Sequence, residues 1–367
     1  MRSIIEDIMY DRRTDLLSLP LRVLLRIVST GYSLVISLRN IFYNRRIFKV
    51  LDVPCRVISI GNIVVGGSGK TPVTLMTAKL LRDAGFSVAV VSRGYKSGNK
   101  KPLVVSDGDR VLVSPPDAGD EPHIIAASLR DVPVVIGVDR VAAAQLAYDR
   151  FKPDVIVLDD ALQHRRLYRD IDIVTVDADN PLGSNYLVPR GTLREPHNAI
   201  NRAKVVVVTR VRDDHNRARI ERMIRYHARE INLFWSSFLA VGVRKPGAET
   251  AESHDVLRGK NVAALSNIAN PDSFCRILES LGAVVVVQFA LPDHHRYTES
   301  ELAALEKRAR DAGAEFLVMT AKDERNIPDH SNSQTIEKLV LDIQAALEEE
   351  KEEYMKIIAP KTKRARK

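Results

Sequence analysis

A glycine-rich segment near the start of the chain has the composition of a phosphate-binding loop. GNIVVGGSGKTP, residues 61–72, follows a predicted strand and opens a predicted helix. Glycines let backbone N–H groups surround an anion, a lysine can reach the β- and γ-phosphates, and the next hydroxyl can ligate Mg²⁺. The residues that we assign to nucleotide binding are Gly66, Gly67, Ser68, Gly69, Lys70 and Thr71. The segment therefore predicts a nucleoside triphosphate site.

A pair of acidic residues follows another predicted strand. In VIVLDDALQH, residues 155–164, four apolar residues bring Asp159 and Asp160 to the carboxyl end of the strand. In this arrangement one carboxylate holds Mg²⁺ or a water bound to it. Paired acids can also cap the next helix, but the phosphate-binding loop favours metal ligation. Gln163 and His164 follow within one helical turn and could face the same site.

Two further motifs carry groups suited to proton transfer. AGDEP places Asp120 and Glu121 in a turn bounded by Gly and Pro, although turn formation alone would explain acids there. PDHHRY, residues 292–297, contains Asp293, His294 and His295, and an Asp–His pair can act as a general base with the carboxylate orienting the imidazole. A metal site is less attractive there, because no cysteine or further histidine lies nearby at ligand spacing.

Arginines stand in two loops that follow strands. SRGY contains Arg93, and PRGTLREP, residues 189–196, contains Arg190 and Arg194. Guanidinium groups suit phosphate oxygens, to which they can donate two parallel hydrogen bonds. A solvated surface arginine is the alternative explanation for each of them.

A parallel sheet is needed to bring these loops together. From Arg56 onward, β-branched runs that are apolar on both faces alternate with helical patterns, as in a sheet covered by helices on each side. The predicted strands are 56–62, 86–95, 132–138, 154–160, 170–177 and 203–210. A helix is predicted over 71–85, and a charge-rich helical stretch over 211–235. This pattern indicates a doubly wound α/β domain.

A second, smaller β-α-β-α-β series is predicted over 261–323, and a final helix near Gln334–Glu352. The predicted fold class is therefore α/β: a P-loop kinase-type doubly wound α/β/α sandwich, a second smaller domain and an N-terminal membrane-associating helix. The predicted ranges are 1–50 for the membrane-associating segment, 51–210 for the core domain, 211–330 for the second domain, and 331–367 for a C-terminal helix and basic tail.

Composition and charge narrow the class of protein. Hydrophobic residues make up 45% and charged residues 28% of the chain, which excludes wholesale disorder. The formal charge is +8; residues 1–50 carry nine Lys/Arg against four Asp/Glu, and the last twelve residues carry six Lys/Arg and no acid. Basic ends suggest an anionic surface as partner, although a basic tail is commonly only solvated. No interleaving of aromatic and basic residues supports nucleic-acid binding.

Residues 16–50 contain six Lys/Arg, no acid and a high share of large apolar residues. Their longest charge-free run, Ile27 to Leu38, has twelve residues, whereas a spanning helix needs about twenty. We therefore predict no transmembrane segment, and Arg22 and Arg26 interrupt the run that a signal peptide would need. A helix in the membrane interface, with arginines reaching headgroups, is favoured over a helix that only caps the core.

Seven motifs in order resemble the tetraacyldisaccharide 4′-kinase family, the lipid A 4′-kinases. They are GNIVVGGSGKTP, SRGY, GDEP, DDALQH, RGTLREP, DHHRY and TAKD, from about Arg56 to Asp323. The chain departs from the family pattern at Ala161, where the family tends to have glycine, and at Val64, where it tends to have Ser or Thr. The order and spacing of the motifs are far more specific than a phosphate-binding loop alone.

The resemblance implies two α/β/α units joined by a short two-stranded linker, with the active site in the cleft between them. It implies that MgATP phosphorylates the 4′-hydroxyl of a lipid A disaccharide 1-phosphate precursor. It also implies a peripheral or monotopic protein at the cytoplasmic face of the inner membrane of a Gram-negative bacterium. The expected partners are the lipid acceptor and an anionic membrane surface, with no nucleic acid and no obligate protein partner.

The resemblance also implies roles for individual residues. Asp120 would be the catalytic carboxylate, acting with His294, which Asp293 orients. The residues implied to hold the phosphates and Mg²⁺ are Lys70, Thr71, Asp159, Asp160 and Glu121. A membrane-associated P-loop ATPase that switches a protein partner is the alternative function, although a switch needs no base on a second domain. A phosphoesterase is weaker still, because it would leave the phosphate-binding loop unexplained.

Overall fold

The computed structural model describes residues 4–95, 97, 101–113, 115–211, 214–248, 250–268, 270–291, 295–328 and 336–360. The strands are β1 (Arg56–Gly61), β2 (Val88–Ser92), β3 (Leu103–Ser106), β4 (Val134–Ile136), β5 (Val155–Leu158), β6 (Ile171–Asp177), β7 (Val205–Thr209), β8 (Asn232–Arg244), β9 (Asn261–Ser266), β10 (Val284–Ala290), β11 (Phe316–Thr320) and β12 (Glu337–Leu347). The helices are α1 (Ile4–Met9), α2 (Leu19–Asn44), α3 (Lys70–Asp83), α4 (Pro115–Ala118), α5 (Asp120–Ser128), α6 (Arg140–Phe151), α7 (Asp214–His227), α8 (Pro271–Ser280), α9 (Glu299–Asp311), α10 (Ala321–Glu324) and α11 (Lys351–Ile358).

The chain forms two compact units. The first unit comprises Met1–Ser237 and Leu347–Lys367, and the second comprises Phe238–Ala346. The chain leaves the first unit within β8 and re-enters it at the end of β12. These units do not coincide with the predicted ranges, because residues 211–237 and the C-terminal segment from residue 347 lie with the first unit.

The first unit is built on a sheet in the order β8-β7-β6-β1-β5-β2-β4-β3. Neighbouring strands pair in parallel, except that β3 pairs antiparallel with β4. Strands β5 and β7 are buried along their whole length, as the continuous apolar runs predicted. Because parallel strands end at the same edge, the loops after β1, β2, β5 and β7 lie near one another, where α/β folds bind ligands.

The second unit has its own parallel sheet, in the order β10-β9-β11-β12. Its core includes Leu265, Phe274, Leu302 and Met319, all buried. Helix α9 begins after Thr298, whose side chain accepts a hydrogen bond from the Glu301 N–H as an N-cap. The α/β class predicted for both parts of the chain is confirmed.

Two predicted helices are wrong in part. The helical stretch 211–235 contains α7, but from Asn232 the chain forms β8, whose early residues alternate between buried and half-buried. The final helix near Gln334–Glu352 is mostly β12, while Gln334 itself lies outside the described residues. Leu339, Val340 and Leu341 are buried in β12, which pairs with β11, so tertiary packing overrides the helical propensity of this segment.

The predicted N-terminal helix is present as α2, after a short 3₁₀ turn at Leu16–Ser18. Many of its large apolar side chains are exposed, including Leu24, Ile27 and Leu34. Among the described residues, the segment Leu16–Asn44 is the one helix that is long and apolar enough to cross a membrane. It is 29 residues long, and only 17% of its apolar stretch of 18 residues is buried, so it is not a core helix.

Candidate active site

The phosphate-binding loop joins β1 to α3, and its backbone is shaped for an anion. Gly66 and Gly69 have φ angles of 112° and 76°, a conformation that glycine adopts without strain. Gly69 directly precedes the 14-residue helix α3, so the first N–H groups of α3 lie beside the loop. Lys70 Nζ donates a hydrogen bond to the Gly66 carbonyl oxygen at 3.2 Å. The lysine therefore lies folded over a loop whose backbone and helix dipole both favour negative charge.

The hydroxyl of Ser68 has a structural task in this loop. Ser68 Oγ accepts a hydrogen bond from Asn62 Nδ2 at 2.8 Å and lies 2.7 Å from Thr175 Oγ1. Thr209 Oγ1 donates to the Ser68 carbonyl oxygen at 3.3 Å. Only 6% of Ser68 is exposed. Any contact of Ser68 with a nucleotide is therefore expected through its backbone N–H.

The two carboxylates after β5 have different surroundings. Asp159 is buried, and its oxygens accept hydrogen bonds from Thr74 Oγ1 at 3.0 Å and Ser92 Oγ at 3.2 Å. The two oxygens of Asp160 lie 2.9 and 3.1 Å from Arg194 Nη1, which donates to them. Asp159 is thus tied to α3 and β2, whereas Asp160 is tied to the loop that carries Arg194.

These surroundings move the two pKa values in opposite directions. Burial, followed by repulsion from Glu121 and Asp160, raises the pKa of Asp159. Burial would also raise the pKa of Asp160, but attraction to Lys70 and Arg194 outweighs it and lowers that pKa. A buried carboxylate that resists ionisation without a cation fits a divalent metal, whose charge favours the ionised form.

The donor set is suited to Mg²⁺ but is incomplete within the protein. In the part of the chain that the structure describes, no three His, Cys, Asp or Glu residues are grouped as a metal site. Mg²⁺ characteristically takes one or two carboxylates and completes its shell with phosphate oxygens and water. Asp159 and Asp160, with the Thr71 hydroxyl at the start of α3, fit that pattern.

The GDEP turn approaches the SRGY loop through a glycine. Gly119 has a φ angle of 81°, and a Cβ atom at this position would lie 2.7 Å from the Tyr95 carbonyl oxygen. A larger residue would therefore force the two loops apart. Asp120 and Glu121 are the first residues of α5, and the Glu121 carboxylate is close enough to Asp159 to raise its pKa. The turn thus brings Glu121 near Asp159, and Asp120 precedes Glu121 at the start of α5.

Two arginines that sequence reasoning missed belong to this region. Arg140 begins α6 after the short turn that follows β4, is 4% exposed, and donates to the Gly137 carbonyl oxygen at 3.0 Å. Burial and then repulsion from Arg93 lower the pKa of Arg140 to about 10, while Asp160 and Asp159 oppose the shift. Arg210 follows β7 and donates to the Gly67 carbonyl oxygen at 2.8 Å. The sequence signal for both is a basic residue just after an apolar run.

Gln163 and His164, the other polar residues of the DDALQH motif, add no further carboxylate to the pair formed by Asp159 and Asp160. Gln163 Nε2 donates to the Asn62 carbonyl oxygen at 2.8 Å, which holds the entry to the phosphate-binding loop. Burial, followed by repulsion from Arg140, lowers the pKa of His164 to about 4, so its imidazole is neutral at pH 7. Its Nε2 atom is buried and has no hydrogen-bond partner among the described residues.

The predicted arginines have different environments. Arg93 is exposed after β2, whereas Arg190 is buried, pairs with Asp11 at 2.9 Å and donates to the Ile8 carbonyl oxygen at 3.1 Å. Arg190 therefore holds the N-terminal segment. Arg194 faces Asp160, as described above, and is the loop arginine placed to act at the site.

Asp293 and His294, the predicted relay pair, lie outside the described residues. Described residues that follow the pair in the chain, and those of the TAKD motif, make polar contacts in the second unit. His295 Nε2 lies 2.8 Å from Glu301 Oε2, and the Tyr297 N–H donates to the Asn326 carbonyl oxygen at 2.9 Å. Buried Asp323, in the TAKD motif, accepts from the Asn267 N–H at 2.9 Å and from the Thr320 hydroxyl. Burial raises the pKa of Asp323 to about 6.

A family model, curated relatives and a solved structure are similar to most of this chain. A family model described as tetraacyldisaccharide-1-P 4′-kinase matches residues 21–361. Tetraacyldisaccharide 4′-kinase of Syntrophus aciditrophicus is 43% identical over 316 residues, 83% of this chain and 84% of that protein. The Geobacter metallireducens protein of the same name is 40% identical over 301 residues, 82% and 87% of the two chains. The crystal structure of LpxK from Aquifex aeolicus in complex with ATP superposes with a TM-score of 0.70 at 29% identity, over 92% and 98% of the two chains.

Proposed function

This chain belongs to the tetraacyldisaccharide-1-P 4′-kinase family, and on that premise we propose that it transfers the γ-phosphoryl group of ATP to the 4′-hydroxyl of a lipid A disaccharide 1-phosphate precursor. The observation that carries the proposal is the pairing of the phosphate-binding loop with the acidic strand end. Lys70 lies over the loop, and the hydroxyl of Thr74, one turn along α3, holds Asp159. Relatives of this name at 36–43% identity support the acceptor.

The phosphate site performs positioning and charge neutralisation, which dominate phosphoryl transfer. Bound MgATP supplies the phosphoryl group, and its metal ion neutralises charge on the phosphate oxygens. The N-terminal N–H groups of α3 and the ammonium of Lys70 would bind the phosphates, and Asp159 and Asp160 would hold the ion. Arg194 donates a hydrogen bond to the Asp160 carboxylate and so keeps it in place.

Asp120 takes the proton of the acceptor hydroxyl in this proposal. Its position at the start of α5, beside Glu121 and next to the SRGY loop, supports that role. A carboxylate that accepts the proton as the oxygen attacks phosphorus is a general base of the kind kinases use. His294, with Asp293, would assist Asp120; these two assignments rest on the DHHRY motif.

The protein works at a membrane in this proposal. The exposed apolar side chains of α2 and its arginines support association with an anionic lipid surface. In the proposal this surface is the cytoplasmic face of the inner membrane of a Gram-negative bacterium. Its acceptor is itself a lipid, so binding to the membrane would bring the enzyme to its substrate. The switch ATPase considered above receives no support from the relatives, whose shared name is that of a kinase.

Transfer of γ-labelled phosphate to the disaccharide 1-phosphate in detergent micelles tests the proposal. The wild-type protein should label the lipid, and Lys70→Ala and Asp120→Ala should each abolish most of the label. ATP hydrolysis by the wild-type protein without labelled lipid would contradict it.

A further inference from the structure

Helix α2 is bound to the loop that carries Arg194 by polar contacts at both ends of that loop. Ser29 Oγ donates to the Leu187 carbonyl oxygen at 2.8 Å, and this contact is buried. Asn40 Nδ2, three turns further along α2, donates to Glu195 Oε2 at 3.0 Å. The exposed apolar side chains of the same helix lie between and around these contacts. The helix that faces lipid in the proposed function therefore also holds the loop from residue 187 to 195.

Glu195 is the centre of the second contact. Its side chain is fully buried, and its two oxygens accept from both terminal nitrogens of Arg202 at 2.8 Å each. Arg39 of α2 approaches it at 3.7 Å. Arg165 adds a further guanidinium, which donates to the Asn40 carbonyl and side-chain oxygens at 3.2 and 3.3 Å. Several cations thus surround one ionised carboxylate, which fixes its position strongly.

The same loop is fastened to the phosphate-binding segment on its other side. The Arg194 N–H donates to the Ile63 carbonyl oxygen at 2.7 Å, and the Val65 N–H donates to the Thr192 carbonyl oxygen at 2.7 Å. Val64 and Leu193 form the β-bridge between these bonds. The segment from Ile63 to Val65 leads directly into the glycines that shape the anion site. A displacement at Glu195 would therefore reach the phosphate-binding loop through only a few residues.

We propose that Glu195 is a positioning residue that couples helix α2 to Arg194, and through Arg194 to Asp160 at the phosphate site. Glu195 is adjacent to Arg194 in the chain, so a shift of the buried carboxylate moves the arginine backbone. Arg194 in turn determines where the Asp160 carboxylate lies. Seating of α2 on lipid would then favour the arrangement in which the acidic pair is ready for the metal. The inference rests on the proposed function, because its readout is phosphorylation of the lipid acceptor.

A matched pair of substitutions on α2 isolates this coupling. Asn40→Asp places a second carboxylate beside Glu195. Asn44→Asp adds the same charge one turn further along the helix, where Asn44 Oδ1 accepts a hydrogen bond from Arg165 Nη2 at 2.7 Å. Both change the charge of the helix equally, so their binding to anionic vesicles should be equal. We expect Asn40→Asp to lower kcat in mixed micelles by about 10- to 100-fold, as misplacement of a catalytic constellation does, and Asn44→Asp to stay near wild type.

A double variant separates coupling from a general structural defect. In an Arg194→Ala background the Asn40→Asp substitution should change kcat little, because the residue through which it acts is gone. If Asn40→Asp prevents folding, Asn40→Ala replaces it, because it removes the hydrogen bond without adding charge. Asn40→Ala should lower kcat several-fold in the wild-type background and change kcat little in the Arg194→Ala background.

Three outcomes are decisive. Equal kcat values for the Asn40 and Asn44 variants would overturn the coupling, and so would additive effects of the Asn40 and Arg194 substitutions. Loss of activity only in proportion to the unfolded fraction, measured by thermal denaturation, would also overturn it. Failure of the wild-type and Asn44→Asp proteins to label the lipid at all would instead overturn the proposed function.

Discussion

The hydroxyl of Thr74 donates a hydrogen bond of 3.0 Å to Asp159 Oδ1, which joins the helix after the phosphate-binding loop to the acidic strand end. Burial raises the pKa of Asp159, and this hydrogen bond opposes the shift because it favours the ionised carboxylate. The contact thus prepares the carboxylate for a cation and fixes its direction.

Thr74→Val should therefore raise the Mg²⁺ concentration that gives half-maximal activity. Loss of a hydrogen bond that orients a metal ligand typically lowers metal affinity by about tenfold or more, so we expect a shift of that size with kcat at saturating Mg²⁺ largely kept. Thr77→Val is the control, because Thr77 lies on the same helix but contacts the Tyr354 hydroxyl at 2.7 Å. An equal Mg²⁺ requirement in both variants would mean that Thr74 does not orient a metal ligand.

Lys70→Ala should weaken nucleotide binding and phosphoryl transfer together. The ammonium lies over the glycine loop, and removal of one such electrostatic contact costs about 10²-fold or more in rate. Lys79→Ala, an exposed lysine of the same helix, should leave both unchanged. Calorimetric titration with ATP and the rate of lipid labelling are the two measurements, and wild-type ATP affinity in Lys70→Ala would refute the assignment.

Asp323 should make the folded protein less stable as the pH rises. Its folded-state pKa is about 6 and its ordinary value is 3.8, so the folded state holds the proton more tightly and its contribution to stability is lost between about pH 4 and pH 6. Asp323→Asn removes this loss. Relative to wild type, the variant should gain about 3 kcal/mol in unfolding free energy between pH 4 and pH 7.

Denaturant unfolding at several pH values measures that difference. Asp311→Asn, an exposed aspartate in the same unit, is the control for the removal of one negative charge. A difference between Asp323→Asn and wild type that does not change with pH would show that the buried carboxyl does not titrate in this range.

The exposed apolar side of α2 should carry the binding to lipid. Ile27 and Leu34 are 65% and 62% exposed and lie two helical turns apart. Burial of each in a bilayer is worth about 2 kcal/mol, so Ile27→Glu with Leu34→Glu should weaken sedimentation with anionic vesicles by at least about a hundredfold. Tyr226→Glu, at an exposed position on α7, is the control. Unchanged vesicle binding in the double variant would exclude α2 as the membrane contact.

Local spacing was enough to predict the strands and the helix that carry the candidate site residues lying close in sequence. GNIVVGGSGKTP and the acidic pair after β5 each depend on a strand, a turn and the residues directly after it, and those elements form as predicted. The α/β class and the N-terminal apolar helix are confirmed for the same reason, because continuous apolar runs and helical periods are short-range patterns.

Contacts between distant segments could not be predicted in this way. Arg140 enters the site because β4 lies in the same sheet as β5, separated from it by β2. The bond between Asn40 and Glu195 joins residues 155 positions apart. The strand β12 was mistaken for a helix because its Gln, Ala and Leu residues favour helices, whereas its pairing with β11 determines its conformation. Such contacts depend on tertiary packing, which no single segment encodes.

Transfer to the 4′-oxygen is tested most directly with two acceptors that differ at that oxygen. The purified protein is given γ-labelled ATP and Mg²⁺ with the disaccharide 1-phosphate in micelles, or with the same lipid methylated on its 4′-oxygen. Labelled lipid is expected with the free 4′-hydroxyl and none with the methylated analogue. Label on the methylated lipid would place the phosphate elsewhere, and ATP hydrolysis without label on either lipid would contradict the assignment as a 4′-kinase.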